Sequence, residues 1–393
     1  MSDTGHRAKI LMLAVGYPSE GYPAGAFHQE QFRAISEAGF EVTVVIPTPW
    51  VPPLLRSSER WKKYTSVPAR QWDGDILILR PRYFTIPREN KWFLPDISQY
   101  LAVRALKLPR PDIIHGFHIL PLGAVAAYLA HEFGVPFVTT AQGDDVNVYP
   151  RLNRRNGRVL RAAAQTADKV FATGATLTET TRRLTGVAVE NLPIGVSSSR
   201  FENLPGKPEA RAQLGLPPDR PIGLYVGRLV PGKGIENFAD ALNAVRDTPL
   251  LGVVIGDGPL MNEFARCDNV RCLGQKPPED VAVAMAAADF LVLPSHSEGL
   301  PTVLMEAAFA GLPIITTDAP GCIDLGADGR ALMVPVGDAT ALAGAFRTAI
   351  DHPETMQACA ETMLTYAREH CSLEKNTQRL IDHYHDVISA KRN

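Results

Sequence analysis

Short apolar runs, each followed by a glycine- or proline-marked loop and then a stretch with helical spacing, recur along most of the chain. Lys9–Val15, Glu41–Ile46, Asp75–Arg80, Asp112–His115, Pro136–Thr140 and Lys169–Ala172 read as strands, with His28–Ala38, Pro121–Phe133 and Leu152–Thr166 as helices among them. Strands that alternate with helices build βαβ units, so the pattern means parallel sheets. The alternation breaks between Asn191 and Pro221, where Pro193, Gly195, Pro205, Gly206, Pro208, Pro217, Pro218 and Pro221 crowd around a Ser197–Ser199 run. It restarts with strands at Ile222–Val226, Leu250–Ile255, Phe290–Leu293 and Pro313–Thr317, and helices at Ile235–Val245 and Thr302–Phe309. The broken stretch is the linker candidate. A chain of 393 residues has room for two such halves, each with its own core. The expected domains are 1–190 and 191–370, with 371–393 as a helix packing back on the first domain; the tail from Pro353 keeps helical spacing with no further strand.

Charge narrows the function classes. The 40 Lys+Arg against 42 Asp+Glu give a net of −2, without the basic excess of a nucleic-acid binder. The first apolar run is too short to span a membrane and lacks a signal-peptide layout. The five cysteines are scattered with no CxxC pair and read as reduced thiols, so a cytoplasmic protein is expected. One region departs from the average: all four tryptophans (Trp50, Trp61, Trp72, Trp92) lie between 50 and 92, and 51–110 carries a net of +7 against −9 elsewhere. A solvated surface with rings anchoring long loops accounts for this. So does an aromatic, basic face for an anionic acceptor, or peripheral contact with the inner membrane face through 50–110.

Four segments carry chemistry. GRLVPGKG (Gly227–Gly234) follows the strand IGLYV and precedes a helix. Gly227 permits a sharp turn, and Arg228 and Lys233 place two cations above the carboxyl edge of a parallel sheet, suited to a diphosphate. The string nearly matches a P-loop, but Gly234 stands where a Mg²⁺-holding hydroxyl is needed. SEGLPTVLMEA (Ser297–Ala307) puts Glu298 in a loop just past the strand FLVLP; Gly299, Leu300 and Pro301 turn the chain into a helix bearing Glu306. A helix N-terminus favours an anion, and the two carboxylates can accept hydrogen bonds from polyol hydroxyls. In IGDGPL (Ile255–Leu260), Gly256 either lines a nucleotide crevice or only makes a tight turn; RCLGQ (Arg271–Gln275) reads as a strand-end loop. In GYPSEGYPAGAFHQEQ, Gly25 precedes a helical segment and lets backbone approach a phosphate closely. WDGD (Asp73, Asp75) has the form of a DxD metal motif but precedes a strand and reads as a turn; no metal is assigned. His115 and His118 sit at a strand end with no third ligand close in sequence.

GRLVPGKG, IGDGP and SEGLPTVLMEA, in that order, resemble the nucleotide-sugar-dependent glycosyltransferases of family 4, with the GT-B fold. PIGVSSSRF (Pro193–Phe201) is similar to that family's interdomain PNGVD segment, and the YP…GAF…EQ opening, DIIHGFHILPLG and TTAQGDDV are similar to its N-terminal half. The resemblance covers roughly 9–350. It implies an α/β protein of two Rossmann-like, doubly wound domains facing a cleft. It also implies retaining, metal-independent transfer of a sugar from a UDP- or GDP-sugar to a sugar, lipid-linked or small-molecule acceptor, with no cofactor beyond the donor. By the resemblance, Arg228 and Lys233 neutralise the leaving diphosphate, Glu298 holds donor-sugar hydroxyls, Glu306 holds the ribose, and Gly25 offers its backbone to the diphosphate. On the acceptor side it points to His115, and the loops carrying His118, Gln142, Asp144 and Asp145 join it as candidates. The chain departs from the family where Gln142 replaces the usual His; Gln is neither acid nor base near pH 7, though it can bond a hydroxyl. That departure keeps two rivals in view: a sugar-nucleotide epimerase or hydrolase on the same scaffold, and a non-catalytic nucleotide-sugar binder.

Overall fold

The computed structural model describes residues 7–19, 25–58, 61, 64–85 and 95–392. The chain divides into two compact units. The first runs to Ile194 and resumes at Glu374; the second is Gly195–Leu373.

The first unit is built on β1 (Lys9–Leu13), β2 (Glu41–Val45), β4 (Arg70–Asp73), β5 (Ile76–Leu79), β7 (Ile113–Phe117), β8 (Phe137–Ala141), β9 (Lys169–Ala172) and β10 (Glu190–Asn191), with β3 (Thr48–Pro49) and β6 (Arg82–Tyr83) as a separate short pair. Their spatial order is β10-β9-β8-β7-β1-β2-β5-β4, and every pairing is parallel except the β4–β5 hairpin. Succession reverses between β1 and β7, which are hydrogen-bonded neighbours with Leu11 opposite Ile114. β1 shows why its sequence is a continuous apolar run. Ile10 and Met12 enter the core on one face with Phe32 and Phe40, while Leu11 and Leu13 enter the other with Val125 and Leu129. A strand covered on both faces has no solvent side to alternate with.

The second unit holds β11 (Ile222–Val226), β12 (Leu251–Ile255), β13 (Val270–Gly274), β14 (Phe290–Leu293), β15 (Ile314–Thr317) and β16 (Leu332–Val334), all parallel, in the order β13-β12-β11-β14-β15-β16. This is the 3-2-1-4-5-6 Rossmann succession, whose switch point lies between β11 and β14. Leu224 sits opposite Leu291 across that boundary.

Local readings shift in three places. The α-helix expected from Pro121 begins at Ala124, because Leu120 is extended and Ile119–Gly123 forms a wide turn. The proline-rich stretch is only partly a linker: Lys207–Gln213 is helical, with Pro208 in the first turn where its missing N–H costs nothing. Arg271–Gln275, read as a loop, is mostly the edge strand β13; half-covered edge strands lack the unbroken apolar run of the interior ones.

The final helix, Leu373–Arg392, belongs to the first unit from Glu374 onward and buries Leu380, Ile381, Tyr384 and Ile388 in its core. The two crossings between units run side by side: Val196 N–H donates to Cys371 O at 2.9 Å, and Leu373 N–H to Val196 O at 3.1 Å. Gly195, at φ +86°, has no room for a Cβ, which would lie 2.7 Å from Leu373 N.

Candidate active site

In the second unit the GRLVPGKG, IGDGPL and SEGLPTVLMEA strings converge on the switch point between β11 and β14. The loop after β11 is laced to the loop after β12. Gly227 N–H donates to Ile255 O at 3.0 Å, Leu229 N–H to Asp257 O at 2.9 Å, and Leu260 N–H to Leu229 O at 3.0 Å. Gly256 and Gly258 are the residues that permit this, since a Cβ on either would collide with the carbonyls of Gly227 and Leu229. The GDG string therefore spaces two loops. Gly234, at φ +68°, caps the Ile235–Ala244 helix and lies against the Pro294 carbonyl, seating the loop on the end of β14.

That seating brings Lys233 to Glu298. Lys233 Nζ lies 2.6 Å from Glu298 Oε1 and 2.7 Å from Oε2, and Ser295 Oγ donates to Oε1 at 2.7 Å. Both side chains are mostly shielded, at 23% and 12% exposure. Glu298 N–H donates to Pro320 O at 2.9 Å, and Gly321, at φ +80°, packs on the Glu298 and Gly299 carbonyls. The sequence reading placed Lys233 and Glu298 on two parts of one ligand; in the structure they hold each other. Arg228, on the same loop, is exposed, and its guanidinium makes no ion pair or hydrogen bond with any described residue. Its carbonyl accepts from the Tyr225 hydroxyl at 3.2 Å; burial pushes that phenol far above its ordinary range, so it remains a donor. Gly299, Leu300 and buried Pro301 lead into the Thr302–Phe309 helix, which carries half-buried Glu306. Arg200 Nη1 lies 3.5 Å from Glu306 Oε1. Sequence reasoning missed Arg200, whose only signal was its place in the PIGVSSSRF segment. It also missed Ser295, two residues before the SEGLPTVLMEA motif.

In the first unit, Gly25 (φ +88°) caps the Ala26–Glu37 helix, and a Cβ there would overlap the carbonyl of Gly16 at the end of β1. His28, on that helix, is fully buried, stacked on Phe32 at 5.3 Å between ring centroids. Burial and the neighbouring His118 and His115 hold it well below 6.5, so it is neutral and accepts from the Gln142 amide at 2.8 Å. Gln142 Oε1 and His118 Nδ1 are buried without a hydrogen-bond partner among the described residues. His118 adopts φ +75°.

Two acceptor-side expectations, His115 and Asp145, are corrected. His115 is fully buried, with Nδ1 2.6 Å from the Tyr384 hydroxyl and Nε2 2.8 Å from Thr140 Oγ1; burial pushes it down to about 3. It is a saturated core residue, with no ring nitrogen left for a ligand. Asp144 is exposed at the start of a short helical turn, whereas its neighbour Asp145 is fully buried and accepts from the backbone N–H groups of Ile119, Gln142 and Gly143 at 2.7–3.1 Å. Two adjacent carboxylates on a helical turn face different ways, and sequence alone did not say which faced in. Asp73 of WDGD ends β4, with Gly74 (φ +57°) turning the hairpin. Its carboxylate accepts from Tyr17 Oη at 2.5 Å, Gln29 Nε2 at 2.8 Å and Arg33 at 2.8–2.9 Å, and the Arg33 guanidinium holds it down to about 2. Three of these bonds fall on Oδ2 and one on Oδ1, so the carboxylate fastens Tyr17, Gln29 and Arg33 to the hairpin.

Comparison with known proteins bears on the family and the fold. The Glycosyltransferase Family 4 profile matches residues 29–200 and the Glycosyl transferases group 1 profile matches 206–364. TuaC of Bacillus subtilis (strain 168), a glycosyltransferase named for teichuronic acid biosynthesis, is 33% identical over 389 residues, covering 97% of this chain and 99% of TuaC. The 2-deoxystreptamine N-acetyl-D-glucosaminyltransferase of Streptomyces fradiae is 28% identical over 304 residues, 70% of this chain and 71% of that one. Among solved structures, sucrose-phosphate synthase from Thermosynechococcus elongatus superposes with a TM-score of 0.81 at 23% identity, covering 98% of this chain and 100% of that one. Anabaena HepE, in complex with UDP and glucose, superposes at 0.73 and 18% identity, covering 97% and 100%. The chain belongs to the family 4 glycosyltransferases of the GT-B fold.

Proposed function

We propose that this glycosyltransferase moves a sugar, with retention and without a metal, from a UDP-sugar to an acceptor hydroxyl in glycan, glycolipid or small-molecule glycoside biosynthesis. The observation that carries the reading is the Lys233–Glu298 pair at the β11/β14 switch point, beside the uncompensated Arg228. A diphosphate supplies the anion that Arg228 lacks and competes with Glu298 for Lys233. Glu298, released from part of that contact and steadied by Ser295, then accepts from donor-sugar hydroxyls. Glu306, oriented by Arg200, accepts from the ribose diol. As the glycosidic bond breaks, charge grows on the departing diphosphate, and preorganised cations stabilise it at about 1.5–3 kcal/mol per charge-assisted hydrogen bond. The choice of a uridine donor is supported by HepE, a structural neighbour in complex with UDP and glucose.

Transfer assays with UDP- and GDP-sugars, with and without EDTA and with the product anomer read by NMR, test this. UDP release that needs an acceptor, survives EDTA and gives a retained anomer is expected. Lys233→Ala and Glu298→Gln should each lose about 10²-fold or more in kcat/KM, on the scale of removing one transition-state donor. Release without acceptor would instead indicate the hydrolase, and UDP binding without turnover the non-catalytic binder.

The proposal places the enzyme in the cytoplasm, in peripheral contact with the membrane's inner face. Trp50, Leu54, Trp72 and Phe84 are exposed in the first unit; Trp92 lies outside the described residues. No helix among the described residues is long and apolar enough to cross a membrane. Co-sedimentation with phosphatidylglycerol vesicles should fall for a Trp50→Ser/Leu54→Ser variant, and a wild type that stays in the supernatant ends the membrane reading.

A further inference from the structure

In the first unit, the Arg154–Thr166 helix and the Ala175–Thr185 helix leave a groove of about 380 Å³ between them. Arg151, Arg154, Arg158 and Arg161 line it from one side and Arg183 from the other, with buried Val146 and Leu160 and half-buried Leu184 along its floor. No acidic residue among those described lines it, and neither does any residue assigned above to the donor or to the acceptor side. The first of these helices connects β8 to β9, which are parallel neighbours. It therefore runs from the carboxyl edge of the sheet back to the amino edge, and the groove follows it.

The guanidinium groups of Arg151, Arg154, Arg158 and Arg183 make no ion pair or hydrogen bond with any described residue. Arg161 Nε donates to Leu184 O at 3.2 Å. Glu179, the one acid on either helix, is taken by Arg182 at 2.6 Å. The residues outside the description carry five Lys and Arg and four Asp and Glu, so they bring no acidic excess to cover the cluster. The arrangement works against the helix that carries it. Arg158 lies four residues after Arg154 and three before Arg161, spacings at which like charges repel. Arg154 and Arg155 also occupy the first turn, where the helix dipole favours acids, and only Arg155 has an answering carboxylate, that of Asp96 at 2.8 Å. A row of cations that weakens its own helix and finds no partner in the fold is placed for an anion from outside.

The length of the row sets the ligand. Arg154 and Arg161 stand about 10 Å apart along the helix axis, farther than one phosphate or carboxylate reaches, so the occupant carries several anionic groups spread along it. Guanidinium forks pair two at a time with the oxygens of such groups, and the aliphatic floor suits the C–H faces of sugar rings. No aromatic ring among the described residues lines the groove, so nucleotide bases have nothing to stack on. A planar bilayer meets the rim of a groove and not its floor. We propose that the groove holds an acidic saccharide chain, an oligosaccharide bearing carboxylates or phosphates. The choice of a saccharide rests on the glycosyltransferase reading and goes beyond it, since the groove grips the chain and not the reacting unit.

Calorimetry on the full chain tests this, with hexagalacturonate and a phosphorylated hexasaccharide as acidic probes, and maltohexaose and inorganic phosphate as controls. At least one acidic chain should bind, more weakly as salt rises, while neither control binds as tightly. Arg158→Ser/Arg183→Ser should weaken that binding by about tenfold or more. Arg266→Ser/Arg347→Ser, the same loss of charge on the second unit, should leave it within twofold. A cooperative urea transition shows that each variant has folded. Equal weakening by both variants would reveal a response to net charge and overturn the site, as would acidic-chain binding unchanged in the groove variant or matched by either control. Phosphatidylglycerol vesicles or a thymidine oligonucleotide that bind through Arg158 and Arg183 where the acidic chains do not would overturn the saccharide in favour of a membrane or a nucleic acid. A wild type that fails to bind UDP overturns the donor reading and leaves the groove result standing on its own.

Discussion

At the scale of single residues, burial decides which ionisable groups work and which only hold the fold. His115 and His118 are three residues apart in one segment, yet His115 is sealed in the core and His118 keeps a buried ring nitrogen without a partner among the described residues. The sealed one has a consequence in pH. Its folded value, about 3, lies below the ordinary 6.5, so between those values the unfolded chain binds a proton that the folded chain refuses. Stability from this group is therefore complete above about pH 6.5 and is lost as pH falls toward 3. His28 is depressed by the same cause and adds in the same direction. Urea midpoints should fall between pH 7.5 and 5.0, and His115→Gln, whose amide can still bond Tyr384 and Thr140, should flatten the fall. A slope identical to wild type would show that His115 titrates like an unfolded residue.

Elements meet at the site through fixed points on a few side chains. The β4–β5 hairpin clamps the first helix and the end of β1 at once, since Asp73 binds Tyr17, Gln29 and Arg33, and buried Arg80 donates to Tyr17 O at 3.1 Å. The DxD-like string has become a fastening for the segments that flank Gly25. Asp73→Ala removes an acceptor of four hydrogen bonds and should cost about 1–3 kcal/mol, read as a lower urea midpoint with an unchanged slope. Asp73→Asn keeps part of the acceptor capacity and should recover part of the loss. Neither variant should create or abolish dependence on Mn²⁺, which a metal-ligand role would require.

At the scale of the molecule, the chain crosses between its units twice, and the last helix completes the first unit's core. Leu380, Ile381, Tyr384 and Ile388 are all buried there, each side chain contributing about 1.5–3 kcal/mol. The Tyr384–His115 bond and the His383–Glu190 contact at 2.9 Å fix its register. A chain ending at Ser372 exposes that apolar surface, and its first unit should lose cooperative unfolding while the second keeps its own transition in calorimetry. A first unit that melts as in the full chain would show the helix to be dispensable.

Local chemistry determined much of this in advance. Continuous apolar runs announced strands covered on both faces, the run of prolines announced a seam near Ile194, and the strings around Arg228, Lys233, Glu298 and Glu306 announced turns and a helix after strand ends, because turn and strand preferences act over a few neighbouring residues. The sequence could not say that Lys233 and Glu298, 65 positions apart, would grip each other, that Arg200 would reach Glu306, or that Asp145 rather than Asp144 would turn inward. Nor could it bring Arg183 to one groove with Arg154 and Arg158, which no motif joins to it. Each of these depends on which segments the sheet order brings side by side and on which side chains burial strips of water, and both are properties of the folded chain alone.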